Sequence, residues 1–321
     1  MATWRAPPSL RRTFFAPPSI SLPPLLLEQN QSNRRTIHCS TSATEDSATF
    51  SPVQSEITNP CRNSSWKPMC LYNSQGICTK MDDPLHVQKF NHSFSVGSAS
   101  DLKKFRGQEF DYFLVLDLEG KVEILEFPVL LFDVEKMDVL DVFHRFVRPT
   151  KMSGQRINEY IEGKYGAFGI DRVWHDTAIK FEEVIEQFEA WLDKHKLCGN
   201  ERAGRLNNGA FVICGNWDLK TAIPHQCAVS NIKLPPYFME WINLKDVYLN
   251  FYNRRAPGML SMMRGLQIPL LGNHHLGVDD ARNIARVLQH MLADGALLKI
   301  TARRPPGPRD NVQFLFQNRI R

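Results

Sequence analysis

The sequence is short of cysteine, of net charge and of long apolar runs. Seven cysteines scattered through 321 residues do not form the dense framework of a disulfide-stabilised secreted domain, and they favour a reducing compartment. No uninterrupted apolar run approaches the roughly 20 residues that a membrane-spanning helix needs, so no membrane association is expected. A formal net charge of +5 is too small for a protein that coats nucleic acid. Any contact with nucleic acid must therefore come from local patches.

The composition is that of a soluble globular protein with a distinct leader. Hydrophobic residues make up 43% and charged residues 23% of the chain, and its length fits one large domain with appendages. Residues 1–48 are rich in Arg, Ser, Thr and Pro and poor in acids, which is typical of an organellar transit peptide. We expect these residues to direct the protein to the chloroplast, with the mitochondrion as the alternative destination. The alternative without targeting is an ordinary disordered tail. This segment is left out of the fold prediction.

Residues 49–104 form a second piece, a linker followed by an arm that contains cysteine and histidine. The nine residues from Cys70 to Cys78 resemble the first half of a CCCH zinc finger, where an aromatic residue and a glycine separate two cysteines. Zinc takes four ligands, and Cys61 with His86 would complete the set, although the usual third cysteine is missing. The arm therefore either binds Zn²⁺ and contacts RNA, or packs without metal on the main domain.

Residues 105–302 are predicted to form one α/β domain. Three runs at 110–118, 123–132 and 138–147 predict an antiparallel meander of strands. Apolar spacing predicts further elements, namely helices at 177–195, 259–266 and 277–292, a buried strand at 209–214 and an edge strand at 296–301. A meander followed by alternating helices and strands indicates a mixed β-sheet covered by helices on both faces. Residues 303–321 are predicted to be a basic tail, either solvated or in contact with phosphates.

Carboxylates follow the predicted strands and helices at three separated places. Asp117 and Glu119 lie two residues apart at the end of the first strand, so their side chains project from the same face. Asp218 follows the next buried strand, and Asp280 lies in the first turn of the last helix, five residues after His275. Oxygen ligands in this number suit two Mg²⁺ or Mn²⁺ ions and a hydrolytic reaction. Singly, each acid has a structural alternative, because an Asp before a helix is commonly an N-cap.

These segments resemble the motifs of DEDDh-type 3′→5′ exonucleases, which have a ribonuclease H-like fold. The D-x-E pair at 117–119 is similar to the first motif, CGNWDL at 214–219 to the second, and GNHHLGVDDARNIA at 272–285 to the third. The long third motif is close to that of the enhanced-RNAi-type exoribonucleases, which trim RNA 3′ ends. The resemblance spans residues 110–301, and the transit-like leader suits an organelle-targeted plant member.

The resemblance implies a role for each of these side chains. The four acids would hold two Mg²⁺ or Mn²⁺ ions, Asp218 directly or through water, with one ion activating water and the other stabilising the leaving 3′ oxygen. His275 would accept the proton of the attacking water. His274 precedes Asp279 by the same spacing as His275 precedes Asp280, so spacing alone does not choose between the two histidines.

The expected substrate is RNA with a free 3′ end. Related enzymes carry a Leu-Thr-Gly-Ile turn that seats the terminal nucleotide, and the nearest match here, 167–170, lacks the threonine. Phe168 either stacks on a base or is buried, and Ile170 and Asn216 are further candidate contacts. Ribosomal or other structured RNA precursors in an organelle are the expected substrates, with ribosomal particles as candidate partners. The alternatives are an exonuclease on small RNA or single-stranded DNA, and an inactive RNA-binding module of the same fold.

Overall fold

The computed structural model describes residues 67–98, 102–198, 205–305 and 311–320. The chain divides into two units at residue 60, and all described residues belong to the second unit. The predicted transit segment and Cys61 lie outside the described residues. Within these four ranges, no helix combines the length and the apolar character required to cross a membrane.

A single mixed sheet of seven strands, in the order β3-β2-β1-β4-β5-β6-β7, forms the framework of the described chain. The first three strands are an antiparallel meander, β4 and β5 add in parallel beside β1, and β6 and β7 return antiparallel. The strands are β1 (Tyr112–Leu116), β2 (Glu126–Asp133), β3 (Asp138–Phe146), β4 (Gly209–Ile213), β5 (Glu240–Asn243), β6 (Ala302–Arg303) and β7 (Gln313–Phe314).

Helices cover both faces of the sheet, which confirms the predicted architecture. The α-helices are α1 (Leu71–Ser74), α2 (Pro84–Lys89), α3 (Gly154–Tyr165), α4 (Asp171–Thr177), α5 (Phe181–Lys194), α6 (Ile223–Val229), α7 (Leu244–Tyr252), α8 (Met259–Gly265) and α9 (Gly277–Ala293). A π-helix, Asp218–Ala222, leads directly into α6. Two short 3₁₀ turns lie at Gly166–Phe168 and Pro236–Phe238.

The central strands are buried on both sides because each face packs against a different helix. Leu114 and Leu116 belong to the apolar cluster that contains α5, whereas Phe113 and Val115 belong to the cluster that contains α9. This alternation follows from the two-residue period of a strand. All eight residues of β2 are buried as well. The sheet is therefore a rigid support for the loops at its ends.

The C-terminal part of the prediction needs correction. Residues 296–301 form no strand, because Ala296 and Leu298 are buried in the core by an irregular segment, and the pairing with β5 begins only at Ala302. The sheet continues into the segment predicted to be a basic tail. Arg304 there is buried and donates a hydrogen bond to the carbonyl of Lys220 (2.7 Å). Arg309 and Arg321 lie outside the described residues.

Two helices between β3 and α5 have no counterpart in the prediction. The apolar spacing of α3 and α4 is weak, since only Ile161, Tyr165 and Trp174 are buried. The clearest local signal for α3 is Ser153, whose hydroxyl accepts a hydrogen bond from the N–H of Arg156 as an N-cap.

Candidate active site

The carboxyl ends of two parallel strands bring the first two motifs together. In the β1–β4 pair, Leu116 lies opposite Ile213, so Asp117 and the turn that leads to Asp218 emerge at the same edge of the sheet. The carboxylate of Asp218 accepts a hydrogen bond from the backbone N–H of Leu118 (2.9 Å). The two segments are thereby fixed side by side.

Helix α9 supplies the third segment. Asp117, Glu119 and Asp280 each offer a carboxylate oxygen, and these three oxygens lie within 4.8 Å of one another. Together with Asp218 and His275 they line a cavity of about 490 Å³. The structure therefore brings the four predicted acids and the predicted histidine to one place.

Burial and mutual repulsion make these carboxylates hard to ionise. Burial raises the pKa of Asp117 well above its usual range, and the neighbouring Asp218 and Asp280 raise it further. Burial also raises the pKa of Glu119 to about 7, against the opposing charge of Lys164, and that of Asp218 to about 6. Such a cluster is neutralised by protons or by a cation, and an all-oxygen set of this kind suits Mg²⁺ or Mn²⁺. The donor set thus fits a divalent metal site.

The same pKa shifts affect the stability of the folded state. Because the folded-state pKa values of Glu119 and Asp218 lie above their unfolded values, these groups favour the folded state most below about pH 4. That contribution is lost as the pH rises through the folded-state values of about 7 and about 6. A divalent ion bound above this range would compensate for the lost protons, so protons and metal would compete for the site.

Lys164 on α3 is a site residue that the sequence analysis missed. Its ammonium donates hydrogen bonds to the carboxylate of Glu119 (2.6 Å) and to the backbone carbonyl of His275 (3.1 Å). It thus links α3, the first motif and the loop before α9. The sequence held no signal for it, because α3 itself was not predicted.

Glu126 at the start of β2 is a second missed residue. Its buried carboxylate accepts hydrogen bonds from the N–H groups of Gly277 and Val278 (both 2.9 Å) and from the hydroxyl of Tyr165 (3.1 Å). Burial alone would raise its pKa, but His144, 3.2 Å away, and these backbone donors together hold it below the usual value. A carboxylate at the first turn of a helix also interacts favourably with the helix dipole. Glu126 therefore fixes the position of α9, and with it Asp280.

The two adjacent histidines have different environments. Their rings stack with centroids 3.9 Å apart. Nδ1 of His274 lies 3.0 Å from the carboxylate of Asp280, whereas His275 contacts that carboxylate through its backbone N–H (2.8 Å). The side chain of His275 is largely exposed, yet the partial loss of water around its ring and the adjacent His274 lower its pKa. A neutral, exposed imidazole at the cavity is suited to accept a proton.

The predicted substrate contacts fall into two groups. Phe168 is 40% exposed, so it is not a buried core aromatic, and with Ile170 it lines a second cavity of about 930 Å³. Asn216 stays a prediction. Its side-chain oxygen accepts a hydrogen bond from the indole N–H of buried Trp241 (2.9 Å), a donor that needs a partner, so this oxygen is engaged within the protein. The neighbouring Trp217, 43% exposed, lines the first cavity instead.

Three of the four predicted zinc ligands lie among the described residues. Cys70, Cys78 and His86 do come together, but the fourth member of the cluster is His92. Cys61, the residue predicted for that place, lies outside the described residues.

The chain is similar in sequence to known exonucleases. The family model for exonuclease domains (RNase T) matches residues 113–288, a range that contains all five predicted catalytic residues. An exonuclease domain-containing protein of Arabidopsis thaliana is 61% identical over 273 residues, which cover 84% of this chain and 81% of the relative. ERI1 exoribonuclease 3 of Homo sapiens is 30% identical over 227 residues, which cover 66% of this chain and only 62% of that protein.

Solved structures show the same architecture. A 3′-exonuclease solved in a study of specific 3′-end recognition of a histone mRNA stem-loop has 26% identity and a TM-score of 0.55, covering 66% of this chain and 93% of its own. The nuclease domain of 3′hExo, described as a DEDDh family member bound to rAMP, has 29% identity and a TM-score of 0.52. That match covers 60% of this chain and 98% of the solved one.

Proposed function

Since this chain belongs to the RNase T exonuclease family, we propose that it is a 3′→5′ exoribonuclease that uses two divalent metal ions. The observation that carries the proposal is the convergence of Asp117, Glu119 and Asp280 within 4.8 Å, beside Asp218, in one open cavity. Relatives named as exoribonucleases, and a structural neighbour that recognises an RNA 3′ end, support RNA as the substrate class.

Each residue has a part in the proposed reaction. Two Mg²⁺ or Mn²⁺ ions, held by the four acids, would supply activation of water and stabilisation of the leaving 3′ oxygen. The neutral imidazole of His275 accepts the proton of the attacking water. Glu126 keeps the start of α9 in place, so Asp280 and His275 stay aligned with the first motif. Lys164 neutralises Glu119 when metal is absent and holds the backbone of the His275 loop.

The direction of degradation and the preference for RNA or DNA are tested with matched oligonucleotides. Single-stranded RNA and DNA of one sequence, labelled at the 5′ end, are incubated with the protein and Mg²⁺. We expect the RNA to shorten stepwise from its 3′ end, and a 3′-phosphorylated copy or added EDTA to prevent shortening. Equal or faster loss of the DNA would make the protein a DNA exonuclease. No cleavage of either strand would leave the RNA-binding module as the better description.

Phe168 is proposed to stack on a base near the 3′ end. The second cavity, which it lines, also includes Asn273 and Leu276 from the loop that carries the histidines, so it adjoins the reacting position. Stacking of an aromatic side chain on a base contributes about 1–3 kcal/mol, so Phe168→Ala is expected to raise KM roughly 5- to 150-fold with little change in kcat. Phe251→Ala is the matched control, because Phe251 is also 40% exposed but lies on α7. A lower kcat at unchanged KM would contradict stacking.

The physiological substrate is proposed to be ribosomal or other structured RNA in an organelle, the chloroplast first and the mitochondrion second. The composition of residues 1–48 supports import. Sequencing RNA 3′ ends from organelles of cells that lack the protein is expected to reveal one or more RNA species with 3′ extensions. Extensions confined to nuclear or cytosolic RNA would contradict the organellar assignment.

A further inference from the structure

The cysteine- and histidine-containing arm, residues 67–98, brings four metal-ligand side chains together away from the carboxylate cavity. One ligand atom from each of Cys70, Cys78, His86 and His92 lies within 4.8 Å of all the others. The atoms are two thiol sulfurs and two imidazole nitrogens. Two thiolates and two neutral imidazoles would balance the charge of Zn²⁺, which matters because Cys70 is buried.

Four of the six distances among these atoms are close to those of a tetrahedral zinc site. Bonds of about 2.3 Å from zinc to sulfur and about 2.0–2.1 Å from zinc to nitrogen place tetrahedral ligand atoms about 3.3–3.8 Å apart. In the arm, Nε2 of His86 lies 3.4 Å from the sulfur of Cys70, 3.4 Å from that of Cys78 and 3.1 Å from Nε2 of His92. The sulfur of Cys78 lies 3.9 Å from Nε2 of His92. A single ion at the centre would reach all four atoms.

The arm lacks the apolar core that would otherwise hold it in this conformation. Helix α1 has four residues. Helix α2 has six residues, and none of these six is buried. Four apolar side chains of the arm are at least 40% exposed, and these are Ile77, Met81, Leu85 and Val87. Segments of this size usually need a metal or disulfides in place of a core. Cys70 and Cys78, the described cysteines of the arm, form no disulfide, so none serves this purpose within the described residues.

We propose that Cys70, Cys78, His86 and His92 bind one structural Zn²⁺ ion. Binding replaces the two thiol protons, which are released to water, and forms two zinc–sulfur and two zinc–nitrogen bonds. The ion holds the arm against the exonuclease domain, where Leu71 packs beside Leu125 and Phe146. The same arm forms one wall of the second cavity, opposite Phe168. The proposal is independent of the nuclease activity, because it concerns a separate set of ligands.

Metal content of the purified full chain is the decisive measurement. After a wash with excess Mg²⁺ to displace zinc from the carboxylates, mass spectrometry of metals is expected to find one zinc per wild-type chain. His92→Ala and Cys78→Ser are expected to lose it, whereas Cys78→His retains it because imidazole is also a ligand. Cobalt in place of zinc is expected to give the visible absorption bands of a tetrahedral thiolate site.

The variant Cys61→Ser distinguishes the set with His92 from the set with Cys61 that the sequence suggested. It is expected to keep the full zinc content. His225→Ala is the matched control for loss of a histidine, because His225 is exposed on α6 outside the arm. A wild-type chain that neither contains zinc nor takes up added zinc would overturn the proposal. Loss of zinc in Cys61→Ser together with full content in His92→Ala would overturn the ligand set. Because the wild-type measurement needs no variant, misfolding of a variant does not decide the result.

Discussion

Replacement of Asp117 by asparagine is expected to lower kcat by about 10³-fold or more, because a carboxylate that holds and orients the metal ions is lost. Asp117 lines the cavity together with Glu119, Asp218 and Asp280, and its negative charge is opposed by burial and by Asp218. The amide has nearly the same shape, so the change removes charge and leaves packing intact. Single-turnover cleavage of 5′-labelled RNA at saturating Mg²⁺ is the measurement.

The same substitution is expected to stabilise the protein when metal is absent. In EDTA at pH 8, burial and the neighbouring carboxylates oppose a negative charge on Asp117, and the neutral amide removes that unfavourable interaction. The Tm of Asp117→Asn should therefore exceed that of the wild type in EDTA, while Mg²⁺ should raise its Tm less. Asp133→Asn, a buried aspartate paired with Lys136 outside the cavity, should keep the activity. A dead variant with a lower Tm in EDTA would indicate damage to the fold instead.

His275→Ala is expected to lower kcat by about 10²- to 10⁴-fold, the usual contribution of a general base. RNA binding, measured with Ca²⁺ in place of Mg²⁺, should change little, because the imidazole is exposed and makes no hydrogen bond to another described side chain. The pH profile should lose the limb that reports on deprotonation of the base. Added imidazole is expected to restore part of the activity.

His274→Ala is the matched comparison for that experiment. His274 contacts Asp280 through Nδ1, so its loss is expected to affect the placement of that carboxylate and hence the metal requirement. Activity should then recover at higher Mg²⁺, which a missing general base would not allow. If His274→Ala were dead at every metal concentration and His275→Ala active, the two roles would have to be exchanged.

The sequence predicted the meander and α9 because their signals are local. Strand β1 is a continuous apolar run, and α9 buries residues at helical spacing. The residues that depend on tertiary context escaped prediction. The hydrogen bond between the indole of Trp241 and the side-chain oxygen of Asn216 joins residues distant in sequence, so local patterns did not indicate it. The sequence likewise did not indicate that His92 joins Cys70, Cys78 and His86, because chain folding, not spacing, decides which ligands meet.

Helix α6, which continues past Pro224, has no counterpart in the prediction. A proline in mid-sequence suggests a break, but Pro224 lies in the first turn of α6, where its missing N–H costs little. The π-helix before it also has no sequence signature. It widens the helical turn that begins at Asp218, the carboxylate of the second motif.

A line of buried polar contacts connects the arm with the start of α9. The hydroxyl of Ser74 lies 2.6 Å from Nδ1 of His144, whose other nitrogen lies 3.2 Å from Glu126, which in turn accepts the N–H of Gly277. Thermodynamic linkage through such a connection is reciprocal. If the arm binds zinc and the chain is an exoribonuclease, as proposed, loss of zinc would weaken the support of α9 and lower the activity even at saturating Mg²⁺.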